Sequence, residues 1–186
     1  MTSTGTLRQK PLGKSVACGA VGGIIAGLVM APFMMLTGIA VGMPADTMLK
    51  AIGLMFGASM DNAVMAGFGI HMLTSILIGA IFGFVTSAVK KLNITSMGKG
   101  IGEGVITGAI ALAVLFLPVS MVMMPLVLMR MMLSMNPGAT QQVMSMMQQA
   151  MPTMMGIGVI EHLVYGAVLG TVTSVFVLRE ARNRHR

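Results

Sequence analysis

The chain has no tryptophan, one tyrosine, one cysteine and only five acidic side chains in 186 residues. Each shortage excludes something. A lone Cys18 forbids an intrachain disulfide and any cysteine-based metal or redox motif, leaving a packing residue or a lipidation site. Too few aromatics are present to stack on bases, so the net charge of +7 is not a nucleic-acid footprint. Charged residues are only 9% of the chain and hydrophobic ones 55%, with a mean hydropathy of +0.89, which excludes disorder and an ordinary soluble domain. The composition is that of a small integral membrane protein.

Four apolar blocks are long enough to cross a bilayer, which takes about 20 residues. They are Val16–Val41, Ala63–Val89, Ile101 to about Met132, and Gly156–Val177. The first follows a basic leader but is too long for the apolar core of a signal peptide, so it reads as a retained span. The third has length to spare for tilting, kinking or projecting. Ten basic residues, among them Arg8, Lys10, Lys14, Lys90, Lys91, Lys99 and Arg179, lie before block one, between blocks two and three, and after block four. Only Lys50, in the first outer connection, and Arg130, near the far end of block three, lie on the other side, which places both termini in the cytoplasm of a multi-pass cell-membrane protein.

The two outer connections carry helical apolar spacing opened by Pro44 and Pro137, the latter behind Asn136 as a cap. Met144, Met147 and Met151 share one face there. Short amphipathic helices, interfacial or re-entrant, are expected in both. The halves also resemble each other: aligning His71 with His162 superposes Ser75 on Gly166 and Gly79 on Gly170. The expected fold is therefore all-α, with four transmembrane helices as two parallel two-span repeats, each carrying an extracytoplasmic amphipathic helix. The units are a basic tail (1–14), a first repeat (15–92), a second repeat (93–178) and a second basic tail (179–186). Two copies in one orientation predict a pseudo-two-fold axis along the membrane normal.

Small residues recur every four positions in each span: Gly19, Gly23 and Gly27; Ser75, Gly79 and Gly83; Gly100, Gly104 and Gly108; Gly166, Gly170 and Ser174. Such stripes let helix backbones approach in lipid, where burial of apolar area no longer drives association. A phosphate-binding role is excluded by the absence of a Walker or GxGxxG pattern.

Of 24 methionines, 22 fall in the outer halves of the spans or in the outer connections. Methionine is an adaptable apolar filler first, and a soft ligand for Cu(I) second. His71 and His162, each about eight residues into its span from the outer side, are the candidate metal-site residues, with copper the metal their donors suit. Their alternative role is to lock packing through the backbone of a neighbouring helix. Glu161 breaks the repeat and is read as a proton-carrying or partner-contacting group, while Asp46 and Asp61 are read as solvated caps or interface residues. No Ser–His–Asp set, carboxylate pair or zinc motif is present, so no catalytic residue is assigned.

Gly42-Met43-Pro44 and His162-Leu163-x-x-Gly166-x-x-x-Gly170 resemble small four-span prokaryotic membrane proteins with an H-x-x-x-G-x-x-x-G helix. The methionine-heavy composition is similar to that of membrane proteins of ammonia-oxidising archaea, including small accessory subunits of the copper-dependent ammonia monooxygenase complex. The small-residue stripes, the methionine-rich outer surfaces and the lack of a catalytic set point to a non-catalytic subunit of a larger membrane assembly, partnered by other membrane subunits or by further copies of itself, and the resemblance implies a copper-dependent one. A small metal-ion or solute transporter or channel built on the repeat is the alternative. A carrier requires a polar path through the membrane; a subunit requires an apolar face left uncovered.

The charge asymmetry makes a direct prediction. A reporter fused after Arg186 is expected to be active only in a form that works in the cytoplasm; activity in a form that works only outside the cell would reverse the topology.

Overall fold

The computed structural model describes residues 12–135 and 137–183. Arg8, Lys10, Arg184, Arg186 and the Asn136 cap lie outside the described residues. The described chain is helical: α1 (Leu12–Ala40), α2 (Thr47–Met55), α3 (Ala63–Ala88), α4 (Met97–Ala111), α5 (Met124–Met135) and α6 (Thr140–Asn183). Four helical stretches are long and apolar enough to cross a membrane: Leu12–Ala40, Ala63–Ala88, Met97–Ser134 and Thr140–Glu180.

The breaks between elements have local causes. α1 ends at Gly42, whose φ of +74° is open to glycine, and Met43 N–H bonds the Gly38 carbonyl across the turn at 2.9 Å. α2 ends the same way at Gly57, with φ +86° and Ala58 N–H bonding Gly53 O at 3.0 Å. The second outer connection contains no such left-handed glycine after Thr140. It forms no separate helix there, contrary to expectation; it is the first part of α6, which runs unbroken for 44 residues, about 66 Å at the helical rise. α2 is not a detached surface helix either. It lies antiparallel against the start of α3, where Cβ atoms at Gly53 and Gly67 would overlap the carbonyls of Ala63 and Leu49.

Between α4 and α5 the helix widens into two π-helical turns, Leu112–Phe116 and Val119–Met123. Each lies just ahead of a proline, Pro118 and Pro125. A helical proline donates no N–H and collides with the carbonyl four residues back, here Val114 and Met121, both inside the widened turns. The wider turn gives the ring room without ending the helix.

Two helix pairs are built on backbone contact. In the α1–α3 pair, Cβ atoms at Gly19 and Gly23 would overlap the carbonyl oxygens of Gly79 and Ser75, and one at Gly83 that of Ser15. Gly27 lies against the Ser75 side chain, where a Cβ would be 2.8 Å from its Cβ. In the α4–α6 pair, Gly104 and Gly108 stand in the same relation to the carbonyls of Gly166 and His162, and Gly170 to that of Gly100. The hydrogen in place of each Cβ points at a carbonyl oxygen, a contact worth about 0.5–1 kcal/mol apiece. The pairs join along α1 and α6, where a Cβ at Gly22 would sit 2.5 Å from Thr173 Oγ1. α3 and α4 barely touch.

The helix ends that carry Lys14, Lys90, Lys91, Lys99 and Arg179 gather at one end of the bundle. Lys14 pairs with Glu180 at 3.3 Å there. Lys99 Nζ donates to the carbonyls of Lys91 and Asn93 at 2.7 and 2.8 Å, and Ser96 Oγ caps α4 by accepting from Lys99 N–H. At the opposite end, α2, α5, the tip of α1 and the first part of α6 enclose a core of Met34, Met43, Met48, Leu128, Met131 and Met147 with their neighbours.

Gly79→Ala and Gly166→Ala are each expected to destabilise the protein by about 1–3 kcal/mol, because the added carbon meets backbone rather than a side chain that can rotate away. Gly69→Ala and Gly102→Ala, where nothing lies within 4 Å, are expected to be neutral or to stabilise by up to about 1 kcal/mol through helix propensity. A thiol-reactive fluorophore reporting thermal exposure of Cys18 in detergent measures all four. Equal midpoints would remove the contacts from any role in stability.

Candidate functional site

A cavity of about 290 Å³ occupies the space that α3 and α4 leave between them, with α1 and α6 as its back wall. His71 and His162 both line it, and so does Glu161. The two histidines are thus on one cavity rather than on separate lipid-facing sides.

The two imidazoles are held differently, His71 across the α1–α3 glycine contact and His162 within its own helix. α3 lies so close to α1 that His71 Nε2–H reaches the Gly27 carbonyl at 3.0 Å. His162 Nδ1–H donates to the Gly158 carbonyl of its own helix at 2.8 Å. A carbonyl only accepts, so these bonds fix the tautomer of each neutral ring. The remaining nitrogens, His71 Nδ1 and His162 Nε2, are acceptors without a protein donor among the described residues. The His162 ring also rests against Phe116, centroids 4.8 Å apart and tilted by 51°. Phe116 stands in the first π turn, so the widened stretch supplies the wall opposite α6.

Glu161 is 6% exposed, and its Oε1 lies 2.6 Å from Thr37 Oγ1. Thr37 Oγ1 also lies 3.1 Å from the Phe33 carbonyl. A hydroxyl has one hydrogen, and Phe33 O can only accept. A neutral carboxyl donating to Thr37 Oγ1, with the Thr37 hydrogen directed to Phe33 O, satisfies both contacts. No cation is paired with Glu161 among the described residues, and burying an unpaired charge is costly. The carboxyl is therefore turned inward against α1, not outward to a surface.

Tyr165, the one tyrosine of the chain, closes the inner end. Its hydroxyl donates to the Ser75 carbonyl of α3 at 2.8 Å. Beyond it, Phe82, Ile94, Leu169 and Val177 form a buried apolar layer toward the basic end. The cavity is blind on that side. Its outer half is lined largely by thioethers, including Met48, Met55, Met151, Met154 and Met155.

Other sequence candidates lie elsewhere. Asp46 precedes α2 without capping it through its side chain and pairs with Lys50 at 3.8 Å. Asp61 is exposed at the approach to α3. Cys18 is half-buried beside the inner apolar layer. Gly19, Gly23, Gly27, Gly79, Gly83, Gly100, Gly104, Gly108, Gly166 and Gly170 stand on the helix contacts behind the cavity and do not line it. No group of three His, Cys, Asp or Glu side chains converges as a metal shell among the described residues. The sequence reading missed Thr37, Tyr165 and the π turns. Pro118 and Pro125, seven residues apart in a span, were the available signal for the last.

No family model, curated protein or solved structure matches the chain.

The Glu161–Thr37 contact predicts a contrast. Thr37→Val strands the buried carboxyl and is expected to cost about 1–3 kcal/mol. Glu161→Gln keeps a donor facing Thr37 Oγ1 and is expected to cost less than about 1 kcal/mol. Thermal unfolding in detergent decides between this and a charged Glu161: there, the amide would be the more damaging change.

Proposed function

We propose that the protein is a non-catalytic accessory subunit of a larger membrane assembly. The observation that carries this reading is apolar surface beyond the reach of lipid. A bilayer hydrocarbon core is about 30 Å thick, spanned by roughly 20 helical residues. Counted outward from the basic end, that length is used up near Met121 on the third span and near Ile157 on α6. The helices continue past those levels as α5 and the first part of α6. On these outer stretches Leu126 is 57% exposed and Met144 54%. Large apolar side chains uncovered by lipid mark a surface for another protein.

The two halves of the bundle are read as copies of one unit. Gly19 and Gly23 against Gly79 and Ser75 repeat as Gly100 and Gly104 against Gly170 and Gly166, in the register that aligns His71 with His162. The copies share their direction, with both termini on the cytoplasmic side. The carrier alternative is less well supported, since a carrier needs a polar path and the cavity ends at Tyr165 and the apolar layer behind it. The ammonia monooxygenase resemblance suggests that this assembly is a copper-dependent one.

Gentle purification from the native membrane is expected to bring down a stoichiometric membrane partner or further copies of this chain. Leu126→Asp and Met144→Asp are expected to release that partner while leaving the unfolding midpoint within about 1 °C, as surface changes do. A monomer from native membrane, or partners indifferent to both changes, would overturn the assignment.

A further inference from the structure

We propose that the cavity binds a membrane-dissolved amphiphile, an apolar chain with an uncharged, hydrogen-bond-donating head such as a hydroxyl, admitted sideways between α3 and the π-turn stretch. This inference concerns the chain's own cavity and stands whether or not the accessory role does.

Size points to a molecule rather than an ion. A space of about 290 Å³ is at the scale of small organic ligands. Shape adds to this. The lining runs from Met151 to Tyr165 on α6 and from Ala111 to Met124 on the facing wall, about 20 Å along the helices at the helical rise. An extended chain fits that length.

The cavity is polar at one end. His71, Ser75, Glu161, His162 and Tyr165 gather in the inner half and all the lining methionines except Met30 in the outer half, where Thr37 and Ser120 are the polar exceptions. Thioether side chains are flexible and polarisable, suited to a chain without fixed shape. At the polar end, Tyr165 and Glu161 are already engaged, by the Ser75 carbonyl and by Thr37. The free positions, His71 Nδ1 and His162 Nε2, both accept. They call for a donor. No Lys or Arg lines the cavity, so a carboxylate or phosphate head would be buried without a counter-ion.

Access is from the side. Leu115, in the first π turn, lines the cavity and is 44% exposed, and Phe56 marks a second opening at the outer end with 68%. The matching seam on the other face, between α1 and α6, is held by Thr37 against Glu161 at the cavity and by Gly22 against Leu169 and Thr173 beneath it. A ligand already dissolved in lipid reaches Leu115 without leaving the hydrocarbon.

Tyr165 makes the test specific, because it is the sole tyrosine in a chain without tryptophan and it lines the cavity. The probe is 2-bromododecan-1-ol, whose bromine sits beside the hydroxyl, at the Tyr165 end of the cavity, and quenches nearby tyrosine emission; its methyl ether has the same chain and cannot donate. The detergent-purified full chain is expected to show saturable quenching by the alcohol, with a Kd at least tenfold below that of the ether. His71→Leu and His162→Leu are expected to bring the alcohol to the level of the ether, while ether quenching persists as a sign of an intact cavity. Val119→Phe, which fills the lateral side, is expected to abolish quenching by both with the unfolding midpoint unchanged. Equal affinity for alcohol and ether, quenching that never saturates, alcohol binding unchanged in both histidine variants, or stoichiometric copper(I) retention without alcohol quenching would each overturn the proposal.

Discussion

Contact between bare helix backbones is the constraint on which the rest of the molecule depends. Inside a bilayer, apolar side chains gain nothing by leaving lipid for one another, so helices associate where their surfaces fit closely. Here α1 meets α3 and α4 meets α6 through glycines whose missing Cβ atoms would overlap a carbonyl on the partner helix. The closeness does more than hold pairs together. It brings His71 within reach of the Gly27 carbonyl, and it carries the Tyr165 hydroxyl to the Ser75 carbonyl on a helix of the other pair. The His162 contact with Gly158 lies within one helix and owes nothing to that closeness.

The two seams between the pairs are unequal, and that inequality makes the cavity. α1 and α6 close on each other at Gly22, while α3 and α4 part. The open side coincides with the π turns that precede Pro118 and Pro125. A proline in a span removes a hydrogen bond and needs room, and the widened turns that provide it alter the wall facing α3. Phe116 and Leu115 enter the lining from that stretch. Two prolines thus separate the seams that a strict two-fold arrangement would make alike.

Methionine takes over where the glycine contacts stop. The outer core, formed by α2, α5 and the ends of α1 and α6, has no repeating small-residue stripe to set a fixed crossing. It is filled largely by methionines, unbranched side chains that conform to irregular gaps around Leu49, Leu128 and Val143. The same residues face the outer half of the cavity, so one composition bias serves packing and lining together.

Much of this was legible in the chain itself. Four apolar blocks, the four-residue spacing of glycine and serine, and the gathering of basic residues between alternate blocks depend only on local composition and period, which lipid and helix geometry read directly. Gly42 and Gly57 likewise end their helices through their own backbone freedom. Which stripe meets which, and in what register, is not a property of any one segment. The sequence placed Glu161 about 100° around the helix from His162 and left its partner open; only the α1–α6 contact delivers Thr37 to it. The expected second outer helix failed for a related reason. Its amphipathic spacing was read correctly as helix, but no left-handed glycine follows it, and Pro152 is carried inside α6, which continues as one helix to Asn183. Element type was thus determined by the sequence, through local sterics and hydropathy. The cavity was decided by tertiary structure, because it is the space between four helices, bounded by contacts between residues 44 to 124 positions apart.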